Sequence, residues 1–250
     1  MHLVIITGAS RGLGRALAVE LSSAEHSLLT IARHPDPTLG TEAAARGATI
    51  EQWALDVVRD VGVAARLEAW LHPKDGHGYD SATLINNAGL LGTVGPVENM
   101  DSDELAAVLR VNLEAPMALT GAFLRATAAW SCPRKVLNIS SGAGRNPIAG
   151  WAAYCASKAG LDHFSRVTAL DEARKPNGAR IVSLAPGVIE TAMQSQLRAS
   201  DESGFPDKQR FLDLHANAQL ATPEGAAQKI AAFLARPDFG TNPVADVRNA

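Results

Sequence analysis

The sequence is poor in cysteine, in net charge and in long apolar runs, and each shortage excludes a class of protein. Its two cysteines, Cys132 and Cys155, are too few for a disulfide framework or a cysteine-based metal site, and reduced thiols are typical of the cytoplasm. The formal net charge of -3 gives no electrostatic reason to bind nucleic acid. No stretch reaches the ~18 apolar residues of a transmembrane helix, and the opening MHLVIITGAS lacks the basic region of a signal peptide. We therefore expect a cytoplasmic protein that binds neither nucleic acid nor a membrane.

The sequence instead contains a regular alternation of short apolar runs with Ala- and Leu-rich amphipathic stretches. The predicted strands are HLVIIT, SLLTIAR, TIEQWAL, ATLINNAG, KVLNIS, ARIVSLAP and NPVADV, with helices between them. Strands that alternate with helices and are apolar throughout indicate a parallel sheet covered on both faces. A chain of 250 residues suits one domain, so we predict a single α/β domain with a doubly wound, mostly parallel sheet of about seven strands.

Two segments depart from this alternation. Residues 102–130 are predicted to form one long helix that is kinked at Pro116. Residues 191–216 are polar, contain Gly204 and Pro206, and stand between a predicted strand and the last predicted helix. We interpret residues 191–216 as a candidate substrate lid.

A glycine-rich stretch, VIITGASRGLGRAL, follows directly on the first predicted strand. Gly8, Gly12 and Gly14 permit a tight turn and let a phosphate approach the backbone. Free N–H groups at the start of the next helix would then face a pyrophosphate. The position predicts dinucleotide binding, and a glycine turn without a ligand is the alternative. Further contacts are predicted in this loop at Ser10, Arg11 and Leu13.

The end of the second predicted strand distinguishes NAD from NADP. An acidic residue there would bind the ribose 2′-hydroxyl, whereas this sequence has Ala32 and Arg33. Arg11 in the glycine loop can reach the same place, and guanidinium groups suit phosphate oxygens. We therefore predict NADPH as the cofactor; two merely solvated arginines are the alternative.

Four motifs, TGASRGLG, LINNAG, YCASK and LAPGVIET, occur in this order along the chain. With them the chain resembles the short-chain dehydrogenase/reductase family from about residue 2 to residue 194. The resemblance implies a Rossmann-type fold, and hydride transfer between a nicotinamide cofactor and a small-molecule carbonyl substrate. The catalytic residues that it implies are Asn112, Ser141, Tyr154 and Lys158. The cofactor contacts that it implies, beyond the glycine loop and Arg33, are Asp56, Val57, Asn87, Tyr154, Lys158, Gly187, Val188 and Thr191.

The chemistry of carbonyl reduction explains these residue types. A phenol gives up its proton reluctantly, and an ammonium four residues further on shares its helix face and lowers the phenol pKa. Tyr154 would therefore be the general acid, with Lys158 as its partner and Ser141 as a hydrogen-bond donor to the carbonyl oxygen. Asn112 would hold a water that links Lys158 to solvent. For Tyr154 and Lys158 taken alone, an ordinary surface pair is the alternative, and Cys155 beside them is interpreted as a packed side chain.

The C-terminal part narrows the resemblance to the branch of sepiapterin reductase and its bacterial relatives that reduce vicinal diketones. The branch shares a Met-Gln pair after the ET dipeptide, here Met193 and Gln194. Asp246 matches a carboxylate that grips a pterin in that branch; an exposed carboxylate is the alternative. The predicted substrate contacts are Ser141, Trp151, Tyr154, Met193 and Asp246.

The predicted function is an NADPH-dependent carbonyl reductase acting on a small ketone, a vicinal diketone or a pterin-like substrate. One alternative is an NADPH-binding regulatory protein that does no chemistry. A second is a reductase of another alcohol, ketone or carrier-bound acyl group. No metal site is predicted, because the histidines are scattered. A homodimer or homotetramer is expected, because the family commonly joins subunits through the helices that carry Asn112 and Tyr154.

Overall fold

The computed structural model describes residues 1–58, 60 and 62–249, and it contains a seven-stranded sheet. The strands are β1 (His2–Thr7), β2 (His26–Ala32), β3 (Thr49–Ala54), β4 (Ser81–Asn86), β5 (Arg134–Ile139), β6 (Arg180–Ala185) and β7 (Val244–Asp246). All neighbouring strands are parallel, in the order β3-β2-β1-β4-β5-β6-β7. The predicted parallel sheet of about seven strands is confirmed.

Helices cover both faces of the sheet, because successive strand residues point to opposite sides and both sides are apolar. In β1, Val4 and Ile6 join one core, whereas Leu3 and Ile5 join the other. The helices are α1 (Gly12–Glu20), α2 (Leu39–Ala45), α3 (Val63–Leu71), α4 (Ser102–Leu109), α5 (Ala115–Ala126), α6 (Ala152–Glu172), α7 (Ala192–Ala199), α8 (Lys208–Ala216) and α9 (Pro223–Ala235). Within the described ranges, none of them combines the length and the apolar character needed to cross a membrane.

The strand order reverses direction between β1 and β4. The chain winds outward from β1 through β2 to β3, and then crosses back to begin the other half of the sheet at β4. In open parallel sheets a ligand binds outside the carboxyl ends of the strands at such a reversal. The glycine loop follows β1 at this point, and the NNAG motif follows β4.

The helix predicted over residues 102–130 ends earlier than expected, and a π-helical turn replaces the regular α-helical hydrogen bonding within it. Helix α4 ends at Leu109, a π-helical turn spans Arg110–Glu114, and α5 then runs only to Ala126. Pro116, in the first turn of α5, has no N–H to donate to the carbonyl of Asn112 four residues earlier. The irregularity therefore lies just before the proline and carries Asn112, whereas the prediction put it at the proline itself.

Candidate active site

The glycine loop packs closely against its own backbone and against the loop after β4. A Cβ built on Gly14 would lie 2.3 Å from the carbonyl oxygen of Gly8, so only glycine fits this inner position. Gly8 has a positive φ of 71°, a backbone conformation that favours glycine. The Asn87 Nδ2 donates to the carbonyl oxygens of Thr7 (3.0 Å) and Gly8 (3.3 Å). Asn87, predicted to line the cofactor, thus also fixes the loop that would hold it.

Two arginines stand at this end of the sheet without carboxylate partners. Arg11 begins the turn into α1, Arg33 follows β2, and both are exposed. Within the described part of the chain neither forms an ion pair, whereas the nearby Arg15 pairs with Asp36 and Glu42, each at 2.5 Å. Two uncommitted guanidinium groups beside a loop of free N–H groups fit a ligand that carries a pyrophosphate and a further phosphate.

The remaining predicted cofactor residues lie on loops that leave the carboxyl edge of the sheet. Thr191 begins α7, and its methyl carbon would be 3.5 Å from a Cβ built on Gly12, so this segment reaches the glycine loop. The Asp56 Oδ1 accepts the Val58 N–H at 2.9 Å in the loop after β3. Of the other predicted contacts, Ser10, Val57, Gly187 and Val188 lie in the loops after β1, β3 and β6, whereas Leu13 lies in the first turn of α1 with its side chain in the core.

Tyr154, Lys158 and Ser141 meet at the end of β5. Tyr154 and Lys158 lie one turn apart on α6, and both are buried, so they are not the ordinary surface pair of the alternative interpretation. The Ser141 side chain, which follows β5, lies close enough to the Tyr154 phenol to lower its pKa. The Lys158 Nζ donates to the carbonyl oxygen of Ile139 at 2.8 Å and lies 5.7 Å from the centre of the Tyr154 ring.

Burial acts on the two titratable groups in opposite senses. It raises the pKa of Tyr154 to about 12, against a lowering effect of the Ser141 side chain. It lowers the pKa of Lys158 to about 8, against a raising effect of the Asp162 carboxylate. The phenol therefore keeps its proton across the physiological range, as a proton donor must, while the ammonium is close to its titration point.

The Asn112 side chain holds the loop after β4 and helix α6 together by hydrogen bonds. The Oδ1 accepts the Leu90 N–H at 2.8 Å, and the Nδ2 donates to the Leu90 carbonyl at 2.7 Å and to the Ser157 Oγ at 3.1 Å. The Ser157 hydroxyl in turn donates to the carbonyl of Tyr154 at 2.7 Å. The π-helical turn, the loop after β4 and α6 are thus joined at one residue. The water that we predicted at Asn112 stays a prediction.

The segment 191–216 packs over Tyr154 with apolar and aromatic side chains. Its Phe205 and Phe211 lie with ring centres 5.6 and 5.3 Å from that of Trp151, and Trp151 meets Tyr154 edge to face at 5.6 Å. Met193 packs against the same cluster. The structure therefore brings together the predicted substrate residues Trp151, Tyr154 and Met193. We call the segment 191–216, which presents Met193, Phe205 and Phe211 to Trp151, the aromatic cover.

Asp246 lies apart from the aromatic cover, at the end of the edge strand β7. Its carboxylate accepts the Arg248 Nε at 2.9 Å and the Arg248 Nη2 at 2.6 Å, and these bonds hold its pKa below the usual range. A substrate contact by Asp246 would have to compete with Arg248, and it stays a prediction.

Several residues of the site were missed by sequence reasoning. Ser157 and Asp162 lie on the buried face of α6, and their spacing from Tyr154 and Lys158 was the available signal. Phe205 and Phe211 are the buried aromatics of a segment that is polar overall. Among the described residues, no three His, Cys, Asp or Glu side chains are grouped as metal ligands would be.

Comparisons with known proteins identify the family of the chain. The family model described as short chain dehydrogenase matches residues 2–202. A benzil reductase ((S)-benzoin forming) of Bacillus cereus is 35% identical over 239 residues, which cover 96% of each chain. A sepiapterin reductase of Meriones unguiculatus is 34% identical over 249 residues, covering 94% of this chain and 92% of the relative. The crystal structure of a metagenomic short-chain oxidoreductase in complex with NADP matches with a TM-score of 0.73 and 29% identity, over 97% of this chain and 95% of that one.

Proposed function

Because the chain belongs to the short-chain dehydrogenase family, we propose that it is an NADPH-dependent carbonyl reductase with Tyr154 as the general acid. The observation that carries this proposal is the buried Tyr154 phenol, which lies near Ser141, one turn from Lys158 and beneath the aromatic cover. A protein that only sensed the cofactor would not need a buried proton donor under an aromatic cover.

Each residue has a defined part in the reaction. The bound nicotinamide would supply a hydride to the carbonyl carbon. Tyr154 donates its proton to the carbonyl oxygen as negative charge develops there, and the Ser141 hydroxyl donates a hydrogen bond to the same oxygen. The nearby ammonium of Lys158 stabilises the phenolate that forms. The aromatic cover excludes water from the proton transfer.

NADPH rather than NADH is proposed because of Arg11 and Arg33. Both are exposed, and both lack a carboxylate partner within the described residues. A dianionic 2′-phosphate would neutralise two guanidinium groups that otherwise repel each other. The NADP complex of the metagenomic relative is consistent with this choice.

A vicinal diketone with aryl groups is the proposed substrate class. Phe205 and Phe211 of the aromatic cover are buried against Trp151, and a phenyl ring of the substrate would pack among these rings. The Trp151 Nε1 is buried without a hydrogen-bond partner in the described part of the chain, and a second carbonyl oxygen is the acceptor that it lacks. A pterin would need a polar partner for its amino edge, and Asp246 is already paired with Arg248. The name of the Bacillus cereus relative is consistent with a diketone substrate.

The test is NADPH oxidation by the purified protein with benzil, sepiapterin and a 3-oxoacyl thioester as substrates, each repeated with NADH. We expect the highest kcat/KM with benzil and NADPH. Tight NADPH binding without turnover of any of the three would favour the regulatory alternative. Preference for the thioester would favour the carrier-bound acyl alternative.

We also propose a homodimer through α5 and α6. Met117 on α5 and Val167 and Leu170 on α6 are large apolar side chains that are exposed, Leu170 by 67%. An exposed apolar stripe on two helices is typical of a subunit contact. Light scattering of the protein and of Leu170→Glu should show a dimer and a monomer respectively; a monomeric parent protein would reject the proposal.

A further inference from the structure

A second buried charge lies behind Lys158. Asp162 is one turn further along α6, and its side chain is 2% exposed. The Oδ1 accepts the Ser183 hydroxyl at 2.6 Å, and the Oδ2 accepts the Arg145 Nε at 3.1 Å. A carboxylate this deeply buried persists as a charge only when it is hydrogen-bonded or paired, and both conditions are met here.

Arg145 neutralises the negative charge of the Asp162 carboxylate only in part. Its side chain is 27% exposed, its Nε makes the contact to Asp162, and its Nη2 donates to the carbonyl oxygen of Ala245 on β7 at 2.9 Å. The field of the Asp162 carboxylate is therefore only partly cancelled on the side of Arg145. On its other side, within α6, lies the ammonium of Lys158.

Lys158 and Asp162 project from one face of α6 onto adjacent strands. Lys158 binds the carbonyl of Ile139 on β5, and Asp162 binds Ser183 on β6, where Ser183 pairs in register with Asn138. The interior between the two side chains screens charge poorly. A unit charge on Asp162 therefore acts strongly on the ammonium one turn away.

Other charged groups around this part of α6 are already paired or lie in solvent. Asp246 and Arg248 beyond β7 bind each other, and Arg110 and Glu114 of the π-helical turn are paired at 56% and 75% exposure. The ionisable groups on α6 itself that flank the pair are Tyr154, Cys155, His163 and Arg166, of which His163 and Arg166 lie outside the buried face. The Arg145–Asp162 pair is thus the nearest source of a fixed field at Lys158 among the described residues.

We infer that Asp162 keeps Lys158 protonated in the working enzyme and that Arg145 limits this effect, so that the pair tunes the catalytic ammonium. The inference rests on the proposed function, because it assigns Asp162 and Arg145 as positioning residues for the Tyr154 proton transfer. It is supported by the pKa of Lys158, which burial lowers to about 8 while Asp162 opposes the decrease. A group that titrates so near neutrality changes its charge in response to a small change in field.

The test is a direct titration of Lys158 by NMR in protein labelled with ¹³Cε-lysine, with the resonance assigned by its loss in Lys158→Arg. Asp162→Asn should lower the titration midpoint by about one pH unit, and Arg145→Met should raise it. The alkaline limb of the kcat/KM profile should move in the same two directions. Shifts of opposite sign in the two variants indicate a tuning role. A purely structural role would lower activity in both variants without moving the midpoint.

A neutral amide in place of the Asp162 carboxylate leaves Arg145 half-buried and unpaired, which can prevent folding. If Asp162→Asn fails to fold, Arg145→Met still tests the inference. The double variant removes both charges and should titrate between the two single variants. Unchanged midpoints would overturn the inference even if benzil is reduced. Shifted midpoints without turnover of any substrate would uphold the tuning but reject the proposed function.

Discussion

The floor of the candidate site and the cover above it are held by different forces. In the floor, buried polar side chains bind backbone groups: Lys158 binds the Ile139 carbonyl, and Asn112 binds both backbone groups of Leu90. The cover, residues 191–216, is held by ring contacts and by ion pairs near the surface. Buried hydrogen bonds fix a geometry, whereas apolar contacts tolerate sliding and repacking. A hydrogen-bonded floor suits a reaction with one fixed geometry, and an apolar cover suits substrates of different shapes.

Among the variants considered, removal of the Tyr154 hydroxyl from the floor should have the largest effect on activity. Tyr154→Phe keeps the ring and its edge contact with Trp151 but deletes the proton donor. We expect kcat to fall by about 10²–10⁴-fold, while the Kd for NADPH changes by no more than a few-fold. Steady-state kinetics and NADPH fluorescence titration measure the two quantities. A variant that retained most of the parent kcat would remove Tyr154 from the mechanism.

Arg33→Asp tests whether Arg33 binds the 2′-phosphate of the cofactor. Loss of a charge-assisted contact of ~1.5–3 kcal/mol should raise the KM for NADPH by about ten- to a hundred-fold and leave that for NADH nearly unchanged. Arg46→Asp is a matched control, because Arg46 is also exposed but ends α2 at the opposite, amino edge of the sheet. Equal effects in both variants, or a parent protein that prefers NADH, would show that Arg33 does not bind the phosphate.

The floor was largely predictable from sequence, whereas the cover was predicted as a segment but not in its aromatic contacts. The glycine loop and the Tyr154–Lys158 spacing are local patterns, and the alternation of elements then specifies that they meet at the carboxyl edge of the sheet. The hydrogen bonds between Asn112 and Leu90 join residues 22 positions apart and depend on a π-helical turn that no local pattern predicted. Phe205 and Phe211 are isolated apolar residues in a polar stretch, and only tertiary packing selects them as buried.

The losses of Tm in Phe211→Ala and in a core variant compare how much the cover and the core contribute to stability. Phe123, which is fully buried between α5 and the sheet, supplies the control variant Phe123→Ala. The core variant should lose ~3–5 kcal/mol, or about 6–20 °C in Tm, whereas Phe211→Ala should lose about 5 °C or less because a cover can open locally. The cover variant should instead lose about ten-fold in kcat/KM for benzil. Equal losses of Tm would show that the cover is part of the core.

The ion pairs of the cover give the smallest and the most pH-dependent effect. Glu190, just before α7, accepts Arg198 of α7 at 2.7 Å and contacts the His215 Nδ1 of α8 at 3.0 Å. The hydrogen bond from Arg198, followed by that from His215, holds the pKa of Glu190 below its ordinary value. A carboxyl group whose folded pKa is depressed stabilises the fold above its unfolded pKa of ~4.3, and this stabilisation is lost as the pH falls through the folded pKa.

Glu190→Gln should therefore lower Tm by about 1–3 °C at pH 7, since exposed pairs contribute little, and the difference should shrink as the pH falls below the unfolded pKa of ~4.3. Differential scanning fluorimetry at pH 7, 5 and 3 measures this difference. Glu98→Gln is the control, because Glu98 is exposed and makes no ion pair with a described residue. A Tm difference that stayed constant with pH would mean that Glu190 supports the cover by shape rather than by charge. The ion pairs would then contribute little to holding the cover by charge, and the contrast with the hydrogen-bonded floor would be sharper than the ion pairs suggest.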